Sequence, residues 1–214
     1  MAAAFLFMIL LTGVIVTSVV FFQKSKKLES QQMLPPGYGG GGGGGFTPAG
    51  QLPPGQDLNS PRGLMNLKLN DIISYYGTDY TIEGRLDFWE DGYTWITYML
   101  VDMDDIKWLS VEDDDSLEVS LWEEVKDVPV SQPFPETVDY RGQTFRMQER
   151  GKARVNQKGR TGNKTGLQVE YYEYESREGE KMSIEKWGPE VEVSIGRDIR
   201  PDDLDIFPGD EVEY

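Results

Sequence analysis

The chain of 214 residues contains no cysteine and no histidine. The absence of cysteine excludes disulfides, thiolate metal sites and cysteine nucleophiles. The absence of histidine excludes imidazole bases and imidazole metal ligands. Positive charge is also scarce, because 21 Lys and Arg residues stand against 37 Asp and Glu residues, for a formal net charge of −16. A chain without thiols is compatible with either redox compartment, so cysteine usage leaves the compartment open.

Catalytic signatures are missing as well. The chain has no nucleophile elbow, no phosphate-binding loop and no dinucleotide fingerprint after a strand. The glycines and lysine of Gly159–Lys164 follow no apolar strand and open no helix, so they predict the tip of a mobile hairpin. Acidic clusters at 102–105 and 112–115 lack the EF-hand spacing and suit solvated turns better than a calcium or magnesium site. We therefore expect a protein that is not an enzyme, with no catalytic, cofactor-binding or metal-binding residues and no cofactor.

The N-terminal segment predicts a membrane anchor. Ala2 to Phe22 contains no charged residue, and 21 residues of helix span about 31 Å, enough to cross a bilayer. No Lys or Arg precedes the segment and no small-residue cleavage site follows it, which favours a retained transmembrane helix (residues 1–23) over a cleaved signal peptide. Lys24, Lys26 and Lys27 follow directly, so the rest of the chain is expected on the cytoplasmic side of a single-pass membrane protein.

Residues 24–63 predict a flexible linker. They include Pro35-Pro36-Gly37, seven consecutive glycines from Gly39 to Gly45, and Pro53-Pro54-Gly55. Glycine maximises backbone entropy and proline withholds a hydrogen-bond donor, so no packed core is expected there. Residues 64–214 form the remaining domain.

The domain has the composition and periodicity of a β-protein. Alanine occurs in it once, at Ala153, whereas all five tryptophans of the chain lie in it. Apolar and polar residues alternate in several segments, which predicts half-buried strands of an antiparallel sheet. The apolar members of three such segments are Leu117, Val119 and Leu121; Val191, Val193 and Ile195; and Tyr80, Ile82, Gly84, Leu86 and Phe88.

A similar unit occurs twice in the domain. Leu109-Ser110-Val111-Glu112 returns as Met182-Ser183-Ile184-Glu185, 73 positions on, and Glu118 to Leu121 returns as Glu192 to Ile195, 74 positions on. Ile96-Thr97-Tyr98 matches Val169-Glu170-Tyr171, again 73 positions on. We therefore predict an all-β fold, an internally duplicated antiparallel meander (units of about 66–126 and 138–198) that forms a sandwich or barrel after one N-terminal transmembrane helix.

Several segments in order resemble the domain of unknown function 4178 family. They are Leu69-Asn70-Asp71-Ile72-Ile73, Tyr80-Thr81-Ile82-Glu83-Gly84, Leu109-Ser110-Val111-Glu112, and Arg200-Pro201-Asp202-Asp203-Leu204-Asp205-Ile206-Phe207-Pro208. The family has no assigned activity, so the resemblance implies no catalytic residues. It implies an association with membrane-stress and polyamine-metabolism systems of bacteria.

Charge is unevenly distributed within the domain. Residues 64–214 hold 17 basic and 35 acidic residues, a net charge of −18, so nucleic acid is not expected as a partner. Residues 141–164 are the exception, with eight basic residues and one acidic residue. This predicted basic hairpin either pairs with the acidic remainder of the domain or serves as an anion-binding arm for an acidic lipid surface or partner.

Two functions remain open on the sequence alone. The first is a membrane-tethered, non-catalytic interaction or adaptor module, bound to the lipid bilayer through its N-terminal helix and to a protein partner near the membrane. The alternative is a domain that binds a small ligand or a polyamine-like cation, because aromatic faces and carboxylates together suit ammonium groups.

Overall fold

The computed structural model describes residues 61–114, 116–162, 164 and 166–209. The predicted transmembrane helix (1–23) and residues 24–60 of the predicted linker lie outside the described residues. Within the described ranges no helix is long and apolar enough to cross a membrane. The elements there are one short helix, α1 (Pro61–Leu64), a 3₁₀ turn (Pro201–Asp203), and the strands β1 (Ile72–Tyr75), β2 (Thr78–Glu90), β3 (Tyr93–Asp102), β4 (Asp105–Asp113), β5 (Leu117–Val125), β6 (Thr137–Tyr140), β7 (Gln143–Gly159), β8 (Gln168–Glu175), β9 (Lys181–Trp187), β10 (Glu190–Asp198) and β11 (Leu204–Phe207).

Eight of these strands close into an antiparallel barrel. The order around it is β2-β3-β4-β5-β10-β9-β8-β7, and the second half of β7 pairs with β2 to complete the ring. The other three strands extend the wall, since β1 pairs with the start of β2, β11 with β1, and β6 with the start of β7. The prediction of an all-β antiparallel fold is confirmed, and of the two predicted forms the fold is the barrel.

Three apolar clusters show which side chains face the barrel interior. One cluster draws on strands from both halves of the ring, including Phe88, Trp108 and Trp187, so it fills the interior. The buried residues of the second cluster lie only on β1–β5, β11 and residues 64–67, and those of the third lie only on β6–β10. These two clusters therefore cover the outer wall of one half each.

A β-bulge in each long strand determines which residues face inward. The register of β2 shifts between Ile82 and Gly84, and that of β7 shifts between Met147 and Glu149. An extra residue reverses the alternation of side chains. Tyr80 and Ile82 therefore pack on the outer wall while Phe88 packs inside, so the predicted single face from Tyr80 to Phe88 is wrong.

The two halves of the ring share their strand order and their first turn. Each half is a five-strand meander, β1–β5 and β6–β10. The first hairpin turn has positive φ at two successive residues in both halves, 65 positions apart: Tyr76 (49°) and Gly77 (82°), then Arg141 (47°) and Gly142 (81°). Such turns match the twist of the flanking strands.

Two tyrosines anchor the segments that cover the outer wall. The Tyr98 hydroxyl donates to the Leu64 carbonyl and the Tyr174 hydroxyl to the Pro135 carbonyl, both at 2.9 Å. Tyr171 instead faces the interior. The predicted match of Tyr98 with Tyr171 is therefore wrong by register, and the partner of Tyr98 is Tyr174, 76 positions on.

The second half carries extra residues between β7 and β8. Corresponding positions are 65 apart at the first turn and 76 apart at Tyr98 and Tyr174, a difference of 11 residues. The extra residues lengthen β7, whose residues 154–159 pair with β2, and they supply the loop that contains Lys164. The predicted basic hairpin 141–164 is therefore a single long strand with a turn before it and a loop after it.

We expect Tyr98→Phe and Tyr174→Phe each to lower the free energy of unfolding by about 1–2 kcal/mol, because each leaves a carbonyl without its donor. Urea unfolding of the purified chain measures this. Tyr76→Phe is the matched control, since Tyr76 is 78% exposed. Losses no greater than that of the control would show that the two hydroxyls do not hold the covering segments.

Candidate ligand site in the barrel interior

The barrel interior combines aromatic rings with carboxylates. Phe88 stacks on Trp95 with ring centroids 4.8 Å apart and planes 3° from parallel. Trp95 meets the edge of Tyr171 at 5.8 Å. The alternation of β4, β8, β9 and β10 places further polar side chains on the same inward face, including Ser110, Glu112, Glu173, Glu185 and Glu192.

Lys164 is buried in this interior. Only 5% of its side chain is exposed, and its Nζ forms ion pairs with Glu185 and, at 2.7 Å, with Glu192. Two indole rings complete the surroundings, with centroids 5.1 Å (Trp108) and 5.6 Å (Trp187) from Nζ. We call these four side chains around Nζ the ammonium cage.

The cage is itself held in place by hydrogen bonds. Trp187 Nε1 donates to Glu185 at 3.0 Å, which orients the carboxylate toward Nζ. Gln157 and Thr161 fix the loop, because Gln157 Nε2 donates to the Lys164 carbonyl at 2.7 Å and Thr161 Oγ1 donates to it at 3.2 Å. The side chain of Lys164 is thus directed inward by its own backbone contacts.

The electrostatics of the cage keep Lys164 charged. Burial by itself lowers the pKa of the ammonium, but Glu185 and Glu192 outweigh burial and raise the pKa above its usual range. An ammonium, two carboxylates and two ring faces satisfy each other in a site that excludes most water.

Within the part of the chain that the structure describes, other interior carboxylates have no comparable cation. Burial, followed by the charge of Glu118, raises the pKa of Glu112 to about 7. Burial, followed by the charge of Glu185, raises the pKa of Glu173 to about 7. Lys181 is the basic group that lowers both values, and its Nζ is bound to Asp198 at 2.6 Å. These carboxylates are therefore partly protonated near neutral pH.

Tyr171 links the same region to neighbouring strands. Its hydroxyl is hydrogen-bonded to Glu90 and, at 3.4 Å, to Glu149. Burial and these carboxylates raise the pKa of the phenol, so it stays a donor. Gly151 is required beside it, since a Cβ there would lie 2.5 Å from the Tyr171 hydroxyl oxygen.

The predicted loop tip and part of the predicted acidic turns lie in the barrel interior. Lys164 is not at the tip of a mobile hairpin, because contacts distant in sequence bury it. Glu112 is not in a solvated turn, because it faces the interior. Asp105 lies at a turn as expected and accepts from Tyr80 at 2.8 Å, and Asp115 lies outside the described residues. Among the residues that the structure describes, no group of three acidic side chains is placed to hold a metal ion.

A second concave feature lies on the outside of the barrel. This groove of about 470 Å³ is lined by Tyr75, Tyr76, Arg197, Asp198, Ile199, Arg200 and Asp203. Arg197 donates to the Tyr75 hydroxyl at 3.3 Å and Arg200 pairs with Asp203 at 2.6 Å. Because both arginines bind groups of the chain itself, the interior is the stronger candidate for a ligand site.

Comparison with known proteins places this barrel among sequences without an assigned role. The model of the family described as "Domain of unknown function (DUF4178)" matches residues 68–201. Uncharacterised proteins of Mycobacterium bovis and of two strains of Mycobacterium tuberculosis are each 30% identical over 175 residues, covering 78% of this chain and 84% of the relative. No solved structure matches the chain.

We expect Lys164→Met to lower the free energy of unfolding by about 3–5 kcal/mol, because it leaves Glu185 and Glu192 without their cation. Lys158→Met is the control, since Lys158 is 55% exposed and 3.7 Å from Asp87, a pair worth about 0–1 kcal/mol. Urea unfolding measures both. Equal losses in the two variants would contradict the cage.

We expect the stability of the domain to fall as the pH rises from about 4.5 to about 7. The pKa values of Glu112 and Glu173 are about 7 in the fold, against an ordinary 4.5, so the folded state binds protons more tightly than the unfolded state. This contribution to the free energy of unfolding is complete below about pH 4.5 and is lost as the pH rises through about 7. The Glu112→Gln/Glu173→Gln variant should lose this pH dependence, whereas the exposed control Glu178→Gln should keep it. The measurement is the thermal unfolding temperature of each variant as a function of pH.

Proposed function

We propose that this chain, which belongs to the DUF4178 family, is a non-catalytic binding domain whose barrel interior accepts an organic cation with primary ammonium groups. The ammonium cage around Lys164 is the observation that carries the proposal. It places two carboxylates and two indole faces around an alkylammonium group in a site with little water. The same side-chain chemistry recognises the ammonium group of a ligand.

The charge balance of the interior supports a ligand in addition to Lys164. Lys164 pairs with Glu185 and Glu192, whereas the carboxylates of Glu112 and Glu173 are held near other carboxylates. A cation placed beside Glu112 and Glu173 would relieve this repulsion. The rings of Phe88 and Trp95 lie on the same inward side, stacked on each other. A ligand with more than one ammonium group fits this arrangement best.

The membrane tether is part of the proposal. An anchor at residues 1–23 and a linker at 24–63 would keep the barrel in the cytoplasm within reach of the bilayer and raise its effective concentration for a target there. An interaction or adaptor role in membrane stress is the second candidate. Its support is the exposure of large apolar side chains on the described surface, 78% for Tyr76, 79% for Leu167 and 92% for Met103.

We also infer that the barrel is an internal duplication. The support is the shared strand order, the matching first turns and the equivalent hydroxyl anchors at Tyr98 and Tyr174. On this interpretation the extra residues between β7 and β8 make one half different from the other, and they bring Lys164 into the interior.

Thermal unfolding of the full chain in detergent tests the ligand proposal. Primary mono-, di- and triamines, a quaternary ammonium ion and magnesium are compared at matched ionic strength. We expect a primary di- or triamine to raise the unfolding temperature by several degrees, since a ligand at 100 times its Kd adds about 2.7 kcal/mol. The shift should be larger at pH 8 than at pH 6, because protons compete for Glu112 and Glu173.

The variant Glu112→Gln/Glu173→Gln should lose this shift, and Glu178→Gln should keep it. Equal shifts for magnesium and for the amines would indicate general charge screening and would contradict a specific site. No shift with any compound would reject the ligand proposal and leave the adaptor role.

A further inference from the structure

The outward side of β7 forms a basic face on an acidic domain. Beyond the bulge in β7, side chains that alternate with interior Ala153 and Val155 point outward, and four of them are basic: Arg150, Lys152, Arg154 and Lys158. We call these four residues the basic face. All four are exposed, with 73% of the Lys152 side chain and 55% of the Lys158 side chain accessible.

The basic face is only partly neutralised by the domain. Lys152 pairs with Glu170 at 3.2 Å, and Lys158 lies 3.7 Å from Asp87. Nearby, Arg160 pairs with Glu83 at 2.7 Å. Within the described part of the chain, Arg150 and Arg154 make no ion pair. The two guanidinium groups therefore remain available to an external anion. Lys152 lies between them, two residues from each.

A large apolar side chain lies beside Arg154 on the outward side. Trp89 of β2 is directly opposite Arg154 in the β2–β7 register and is 43% exposed. Residues directly opposite each other in an antiparallel pair lie on the same face of the sheet. An indole thus stands next to a guanidinium that makes no ion pair with the described residues.

We propose that the basic face, with Trp89, docks the barrel on an anionic lipid surface. Guanidinium groups bind phosphate oxygens with two parallel hydrogen bonds, which suits Arg150 and Arg154 to lipid headgroups. A tryptophan beside basic residues is a side chain that enters the interfacial layer of a bilayer.

The acidic remainder of the domain limits how the barrel docks. Repulsion between acidic side chains and anionic lipid falls off within about 8 Å at physiological salt. Only an orientation that turns the basic face toward the membrane is therefore attractive. Nucleic acid offers phosphates but no apolar layer for Trp89, so a lipid surface matches the combination better.

The test uses the full chain in lipid nanodiscs, either of phosphatidylcholine or of an equimolar mixture with phosphatidylglycerol. Since the chain has no cysteine, Asn156→Cys provides a single labelling site on the outward side of β7, between Arg154 and Lys158. A fluorescent label there is quenched by lipids that carry a quencher near the headgroup. We expect strong quenching in the anionic nanodiscs, weak quenching in the neutral ones, and a decrease at high salt.

Charge reversal then locates the surface. Arg150→Glu/Arg154→Glu in the labelled chain should lose most of the quenching in anionic nanodiscs, while circular dichroism shows that it stays folded. Lys126→Glu/Arg177→Glu changes the net charge equally at exposed positions elsewhere and should keep the quenching. Equal quenching in neutral and anionic nanodiscs, or equal loss in both double variants, would overturn the proposal. Neither result depends on whether the interior binds an ammonium ligand.

Discussion

The ion pairs of Lys164 with Glu185 and Glu192 are the interaction on which the barrel interior depends. An ammonium removed from water is costly unless oppositely charged groups and ring faces replace its hydration. Here the carboxylates come from β9 and β10, and the rings from β4 and β9. One side chain therefore connects the loop after β7 with strands of both halves, and each of these elements must be in place for the charge to be tolerated.

The residues that differ between the halves also close the ring. The lengthened end of β7 supplies the pairing with β2, and the loop that follows it supplies Lys164. The bulges in β2 and β7 are needed for the same purpose. In each strand, apolar side chains before the bulge face the outer wall, and apolar side chains after it face the interior. Closure of the wall and filling of the interior are thus produced by the end of β7, by Lys164 in the loop after it, and by the bulges.

Sequence patterns predict the strands but not the site. Alternation identifies β5 and β10 correctly, because their pairings with β4 and β9 contain no register shift, so each strand keeps one alternation of faces throughout. It fails in β2, where the bulge at Glu83 reverses the faces while the residue pattern stays regular. The match of Tyr98 with Tyr171 fails because the β8–β9 turn is longer than the β3–β4 turn, which changes the register of tyrosines that look alike in sequence. For Lys164, neighbouring glycines suggest an exposed loop, and its partners lie 21 and 28 positions away, so no local signal shows its burial.

The central claim is that the Lys164 ammonium lies inside the barrel. Reductive methylation of the native full chain, followed by peptide mass spectrometry, measures the accessibility of each lysine directly. With 5% of its side chain exposed, Lys164 should be modified far more slowly than Lys158, whose side chain is 55% exposed. Unfolding in urea should make the two rates equal. Modification of Lys164 at the rate of Lys158 in the native chain would contradict the account.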